Sequence, residues 1–264
     1  MREEKGDRKV TGNTRLTEPR VWCPKPNPTA TVRLICLPFA GGSPAAYRNW
    51  PDLMPPAAEL LSVCLPGRGP LFSDPPYTDM QEMARAVTAS LVPYLDRPFV
   101  LFGHSMGALL GFEITRLLRR AHGLAPALLA VSGHRAPQCA RTLPPIHGLP
   151  EAEFLERIRK YGGTPAELLA NRELMGLIMP ALRADMTAVE TYRYSPEPPL
   201  SCPISVFGGT NDTHVDAEGL QAWEMQTLGE LVLRILPGDH FFLLGSERLI
   251  ISALLKDLAR VIPQ

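Results

Sequence analysis

The pentapeptide Gly103-His104-Ser105-Met106-Gly107 sets a serine between two glycines, a spacing that suits one kind of chemistry. Before it lies the short apolar run Pro98–Phe102, which predicts a buried strand. After it, Ala108–His122 has helical periodicity and ends at Gly123, where a C-terminal cap belongs. A strand turning into a helix through G-x-S-x-G is a nucleophile elbow. The turn is so tight that its flanking positions tolerate little beyond glycine. It lifts the hydroxyl out of the sheet edge and aims the first N–H groups of the new helix at whatever reacts there. The chemistry is acyl transfer through a serine ester. The pentapeptide alone is only suggestive, since an inert glycine-rich turn would share it; the strand before and the helix after argue against that reading.

A serine nucleophile needs a base, and the base needs an orienting carboxylate; behind such an elbow they follow in the order acid, then histidine. Six histidines compete. His104 sits within the elbow, its side chain thrown to the other side of the turn. His122 ends a helix, where imidazole meets the negative end of the dipole. His134 and His147 precede any acid candidate, and His214 lies in a polar loop behind Asp212. Only His240 follows a late strand, Leu231–Leu236, and precedes the last helix. For the acid, Asp212 stands just past the strand Pro203–Phe207. Asp216 reads as a helix N-cap, Asp239 adjoins His240 too closely to accept its hydrogen bond, and Asp185 lies in a helical insertion. An oxyanion needs two donors. Met106 N–H follows the nucleophile, and Ala40 N–H in Phe39-Ala40-Gly41-Gly42-Ser43 is the second, with Phe39 as the fallback. No P-loop lysine follows the Gly-Gly pair, no G-x-G-x-x-G occurs, and serine chemistry accounts for the Asp-His pairs without a metal. No cofactor is implied.

The elements around these residues alternate apolar strands with amphipathic helices: strands over Val32–Leu37, Leu60–Leu65 and Ala127–Val131, helices over Thr78–Leu95, Glu218–Leu228 and Glu247–Val261, and a short helix at Ala45–Trp50. That pattern predicts an α/β architecture, a parallel sheet covered on both faces. Residues 134–199 break the rhythm with helical pieces only (Glu151–Tyr161, Ala166–Met179, Ala181–Tyr192), and read as a lid over the carboxyl edge of the sheet. Residues 1–20 mix charges of both signs with few apolar groups and read as a disordered extension; residues 21–264 form the domain. The 264 residues balance 27 basic against 27 acidic groups, which suggests neither nucleic acid nor an anionic membrane as partner. No signal-peptide pattern or membrane-length apolar run occurs. Five scattered cysteines without C-x-x-C spacing argue against a disulfide framework or a zinc site and fit a reducing, cytoplasmic setting.

With these residues placed, the chain resembles the type II thioesterases, stand-alone α/β-hydrolases that serve polyketide and nonribosomal peptide synthases. It is similar, more distantly, to the medium-chain acyl thioesterase of fatty acid synthesis. The similarity runs from about Leu34 to Leu244 and rests on Leu37-Pro38-Phe39-Ala40-Gly41-Gly42-Ser43, Leu65-Pro66-Gly67-Arg68, the elbow, Ser132-Gly133-His134-Arg135-Ala136-Pro137, Leu182-Arg183-Ala184-Asp185, Glu190-Thr191-Tyr192 and Gly238-Asp239-His240-Phe241. It implies an α/β-hydrolase fold with a helical lid and Ser105, Asp212 and His240 as triad. It also implies hydrolysis of acyl thioesters on the phosphopantetheine arm of acyl or peptidyl carrier domains, clearing aberrant or stalled acyl groups; the chain is expected to be a monomer. Gly69 and Phe242 depart from the acidic residue and the tyrosine common in that family. A thiol of pKa ~8.5 is an easy leaving group, so the site needs no strong additional acid. The alternatives are a general carboxylesterase or lipase, an acyltransferase passing the acyl group to an amine or alcohol, and a hydrolase-fold protein that binds without catalysing.

Overall fold

In the computed structural model, which describes residues 17–163 and 171–261, seven strands form one sheet. They are β1 (Arg20–Trp22), β2 (Val32–Leu37), β3 (Ala58–Cys64), β4 (Phe99–His104), β5 (Leu128–Ser132), β6 (Ile204–Gly209) and β7 (Leu231–Leu236). Their order is β1-β3-β2-β4-β5-β6-β7, with β1 antiparallel to β3 and every other pairing parallel. The chain winds one way from β2 to β3, then crosses back over β2 to β4. The carboxyl ends of β2 and β4 therefore flank the point where the winding reverses, the crevice in which open α/β sheets place their ligands.

Alternation along each central strand sorts side chains between two buried faces. Leu101 of β4 and Ile35 of β2 pack with α1 (Met80–Leu91) and α2 (Met106–His122) through Val87, Leu91 and Leu110. Val100 and Phe102 point the other way, into a cluster with Ile250 and Leu254 of the final helix. Both faces being covered is why these strands read as unbroken apolar runs. The termini of α1 and α2 follow local rules: the Asp79 side chain accepts the Glu82 N–H, and Gly123 closes α2 in the left-handed conformation.

Several boundaries differ from the sequence reading. The sheet and its contacts reach back beyond residue 21: Arg20 opens β1, the Thr17 carbonyl accepts from the Tyr77 hydroxyl, and the Pro19 carbonyl accepts from Ser90. A three-residue edge strand between prolines leaves no periodic signal. The remainder of the expected extension, 1–16, lies outside the described residues. The Ala45–Trp50 segment forms two 3-10 turns, Pro44–Tyr47 and Trp50–Leu53. The helix expected over Glu218–Leu228 is a short α5 (Ala217–Gln221) continued by a 3-10 turn. In the insertion, α3 (Glu151–Tyr161) matches its expected limits. The pieces Ala166–Met179 and Ala181–Tyr192 are one helix over their described part, α4 (Arg172–Thr191), which continues through Pro180; residues 166–170 lie outside the described residues. The last helix, α6 (Glu247–Val261), falls where the periodicity puts it.

Candidate active site

The elbow owes its shape to close approach. A Cβ on Gly103 would sit 1.9 Å from the Gly107 carbonyl oxygen, and one on Gly107 would sit 2.8 Å from the Leu37 oxygen of β2. Only glycine fits either position. Ser105 between them has φ 52°, the only positive φ at a non-glycine among the described residues. Such strain persists only where the surroundings over-determine it, and here they do: the Ser105 N–H donates to the Ser132 carbonyl of β5 at 2.7 Å, and α2 starts at the next residue.

Two further loops converge on the hydroxyl. The turns after β6 and β7 are joined by hydrogen bonds from Thr210 N–H to the Leu236 carbonyl and from Asn211 N–H to the Gly238 carbonyl, both 2.8 Å. This sets Asp212 beside His240. His240 Nε2 lies 3.1 Å from Ser105 Oγ, and Nδ1 lies 2.9 Å from Asp212 Oδ2. Burial by itself would raise the Asp212 carboxyl. The hydrogen bond and charge of His240, together with the His214 N–H donated to Oδ1, outweigh it and hold the carboxyl below its ordinary value. An ionised carboxylate can only accept, so His240 carries its proton on Nδ1 and offers a lone pair on Nε2 to the serine.

Most of the competing residues have other partners. Asp216 caps α5 through the Gly219 N–H, and Asp239 accepts the N–H of Phe241 two residues on. The His147 ring bonds Glu190, and His134 Nδ1 lies 2.6 Å from the Arg135 carbonyl. His104 points away from the serine, bonds the Ser132 hydroxyl, and packs its ring 5.1 Å from that of His240. Burial, then the neighbouring His240, keeps His104 well below its ordinary pKa, so it is neutral. His214 stacks on Tyr161 of α3 at 3.8 Å, also next to His240. That stacked pair was not foreseen; nothing in the spacing of a tyrosine and a histidine 53 residues apart signals it.

The glycine-rich turn after β2 is closed by a hydrogen bond from Gly42 N–H to the Phe39 carbonyl at 2.7 Å. In a trans peptide the carbonyl and the next N–H point in opposite directions. With the Phe39 oxygen turned toward Gly42, the Ala40 N–H is directed away from the turn. Ala40, Ser105, Met106 and His240 line the same cavity, about 350 Å³ in volume. Its walls are largely apolar (Leu109, Leu182, Met186, Val189), with Arg193 and Tyr194 among its polar lining. Such a cavity takes an apolar chain attached to a polar, reactive end. Sequence reasoning also passed over the chemistry of Arg68 and Asp185, which meet in a buried ion pair behind this turn, Nη1 to Oδ2 at 2.6 Å.

A parallel sheet at whose edge a strained serine, an imidazole and a carboxylate are hydrogen-bonded in series defines an α/β-hydrolase. Within that class, the thioesterase domain family model matches residues 32–259, and the chain belongs to this family. It is 38% identical over 236 residues to the gramicidin S biosynthesis protein GrsT of Aneurinibacillus migulanus, covering 89% of this chain and 92% of that one. It is 38% identical over 219 residues to the thioesterase PikA5 of Streptomyces venezuelae, covering 83% and 78%. Among solved structures it superimposes on the type II thioesterase BorB from the borrelidin biosynthetic cluster with a TM-score of 0.84 at 36% identity, over 90% of this chain and 97% of that one. The protein is an enzyme that hydrolyses acyl thioesters. No helix among the described residues is long and apolar enough to cross a membrane.

Proposed function

We propose that Ser105 is the nucleophile, His240 the general base and Asp212 the residue that fixes its tautomer. His240 Nε2 takes the hydroxyl proton as Oγ attacks the thioester carbonyl, and Asp212 stabilises the imidazolium. The N–H groups of Ala40 and Met106 receive the oxyanion. Collapse expels the thiolate, which takes the proton back from His240. Water, activated by the same base, then releases the acid and frees the serine. The observation that carries this reading is the unbroken Ser105–His240–Asp212 hydrogen-bond series at the mouth of an apolar cavity.

The substrate in this reading is an acyl group on the phosphopantetheine arm of an acyl or peptidyl carrier protein, and the role is removal of aberrant or stalled chains. The names and the similarity of GrsT, PikA5 and BorB support it. The setting is the cytoplasm, in keeping with five free cysteines, and the working form is a monomer. A carrier offers contacts remote from the reacting carbonyl, and such binding energy can orient the carbonyl against Ser105. One acyl group presented on a carrier protein, on coenzyme A, on a small thiol and on an alcohol tests this. The carrier thioester is expected to give the highest kcat/KM. Equal or better turnover of the alcohol ester would favour a general esterase, and capture of the acyl group by an added amine in place of water would favour a transferase.

A further inference from the structure

We propose that Arg68 and Asp185 are positioning residues, a buried ion pair that holds the Phe39–Ser43 turn in register with Ser105; this rests on the role given above to the Ala40 N–H. Three segments far apart in the chain meet there: the turn after β2, the end of the Leu65-Pro66-Gly67-Arg68 loop after β3, and the middle of α4. Asp185 is fully buried and Arg68 nearly so. Asp185 Oδ2 accepts from Arg68 Nη1 at 2.6 Å and from the Gly41 N–H at 2.8 Å, while Oδ1 accepts from Nη2 at 2.8 Å. Arg68 Nη1 also donates to the Gly42 carbonyl at 3.2 Å, and Nε to the Pro66 carbonyl at 3.3 Å. The pair thus grips the turn at the N–H of Gly41 and at the carbonyl of Gly42, on either side of the Gly41–Gly42 peptide.

The consequence for Ala40 is geometric. Gly42 N–H fixes the plane of the Phe39–Ala40 peptide through the Phe39 carbonyl, and Asp185 fixes the next plane through the Gly41 N–H. The Ala40 N–H lies in the first of these planes, and the Gly42 N–H that sets it belongs to the Gly41–Gly42 peptide, which the pair holds from both ends. Gly41 can approach α4 only without a side chain: its φ is +72°, and a Cβ would lie 3.0 Å from Leu182 Cδ1, one turn before Asp185 on the same helix. Burial works against the Arg68 charge, and the neighbouring Asp185 more than restores it, so the guanidinium stays charged as it holds the turn. Stability does not account for the arrangement. Buried ion pairs are often replaced by apolar residues at no cost, whereas no apolar pair could hold both a peptide N–H and a carbonyl.

That difference supplies the test. The double variant Arg68→Met/Asp185→Leu removes both charges together and leaves no lone buried ion. It is expected to melt near the wild-type temperature, yet to lose kcat by about 10- to 100-fold, the scale of a misplaced reacting group, with KM far less affected. Affinity for an alkyl boronic acid, which forms a tetrahedral adduct on the serine, should fall by the same factor, while affinity for the product carboxylic acid holds. If the double variant does not fold, Asp185→Asn, which keeps the shape and loses the charge, is expected to show the same kcat loss against an unmoved KM. A folded double variant, or failing that Asp185→Asn, with wild-type kcat and boronate affinity overturns the proposal. Ser105→Ala in the same assay separates the two readings. Turnover that survives it removes the serine mechanism itself, whereas full serine dependence with undiminished kcat in the double variant removes only the positioning pair.

Discussion

The carboxyl edge of the sheet and the helical insertion above it are built on different physical terms. At the edge, Ser105, Asp212 and His240 sit on turns only a residue or a few beyond their strands. Backbone hydrogen bonds tie those turns to neighbouring strands or to one another, and large clusters back them on both sheet faces. The insertion rests on a small cluster of its own, Phe154, Ile158, Met175, Met179 and a few neighbours, separate from the two sheet cores. Its outer surface leaves Leu174 and Leu177 nearly half exposed. The insertion is itself uneven. Beyond Pro180, α4 is fastened by the Asp185 pair, by Arg183 bonded to the His147 and Leu149 carbonyls, and by buried Glu190, which accepts the N–H groups of Ile146 and His147. If the insertion is a cover that opens for an acyl arm, the seam between what moves and what stays falls inside α4.

The hardest test of the rigid half is at the serine. Ser105→Ala is expected to abolish hydrolysis, a loss on the order of 10⁶ in kcat where a nucleophile of this type is removed, with the thermal melt unchanged. Undiminished turnover by the purified variant would break the assignment. Next in size is the acid. Asp212→Asn should lower kcat by about 10⁴, as it presents the wrong hydrogen-bond pattern to His240 Nδ1. Asp216→Asn should cost little, its carboxylate serving α5. The reverse ranking would move the acid to Asp216.

Acid should expose the same edge through stability. His104, His134 and His214 are all held below their ordinary pKa, chiefly by burial, His134 down to about 4. Unfolded, each would bind a proton near pH ~6.5. Between that pH and their folded values the unfolded chain holds more protons, so stability rises with pH across the window and is lost as pH falls through it. Tm is therefore expected to be highest above pH ~7 and to decline steadily toward pH ~4. A flat profile over that range would mean that these rings are solvated.

Most of the rigid half was legible in the sequence. Strand, turn and helix around Ser105 are local events, each set by residues within a few positions, and chain order picked out His240 and Asp212 from their rivals. What escaped was long-range. Arg68 and Asp185 are 117 residues apart, and each by itself reads as an ordinary surface charge. The motifs carrying them, Leu65–Arg68 and Leu182–Asp185, were noticed through resemblance alone, without their chemistry. The sequence breaks α4 at Pro180 because proline signals a stop, but Met175 and Met179 before it and Leu182 and Met186 after it pack into one cluster, which overrides that preference. The burial of Glu190 and Asp185 likewise cannot be read from their type.

The smallest effect expected is the most informative about that seam. If only the part of the insertion before Pro180 moves, amide exchange should divide α4. Amides in Met175–Met179 and in Phe154–Tyr161 of α3 should exchange about tenfold or more faster than those in Ala184–Glu190, since a difference of ~1.4 kcal/mol in local opening is one decade in rate. Pro180 helps the division: it has no N–H to bond back into the preceding turn, so the two halves are joined by one fewer hydrogen bond. A covalent acyl adduct on Ser105 should slow the first group and leave the second unchanged. Equal protection along the whole of α4, with or without the adduct, would mean that the insertion is one body and that any opening carries the Asp185 contact with it.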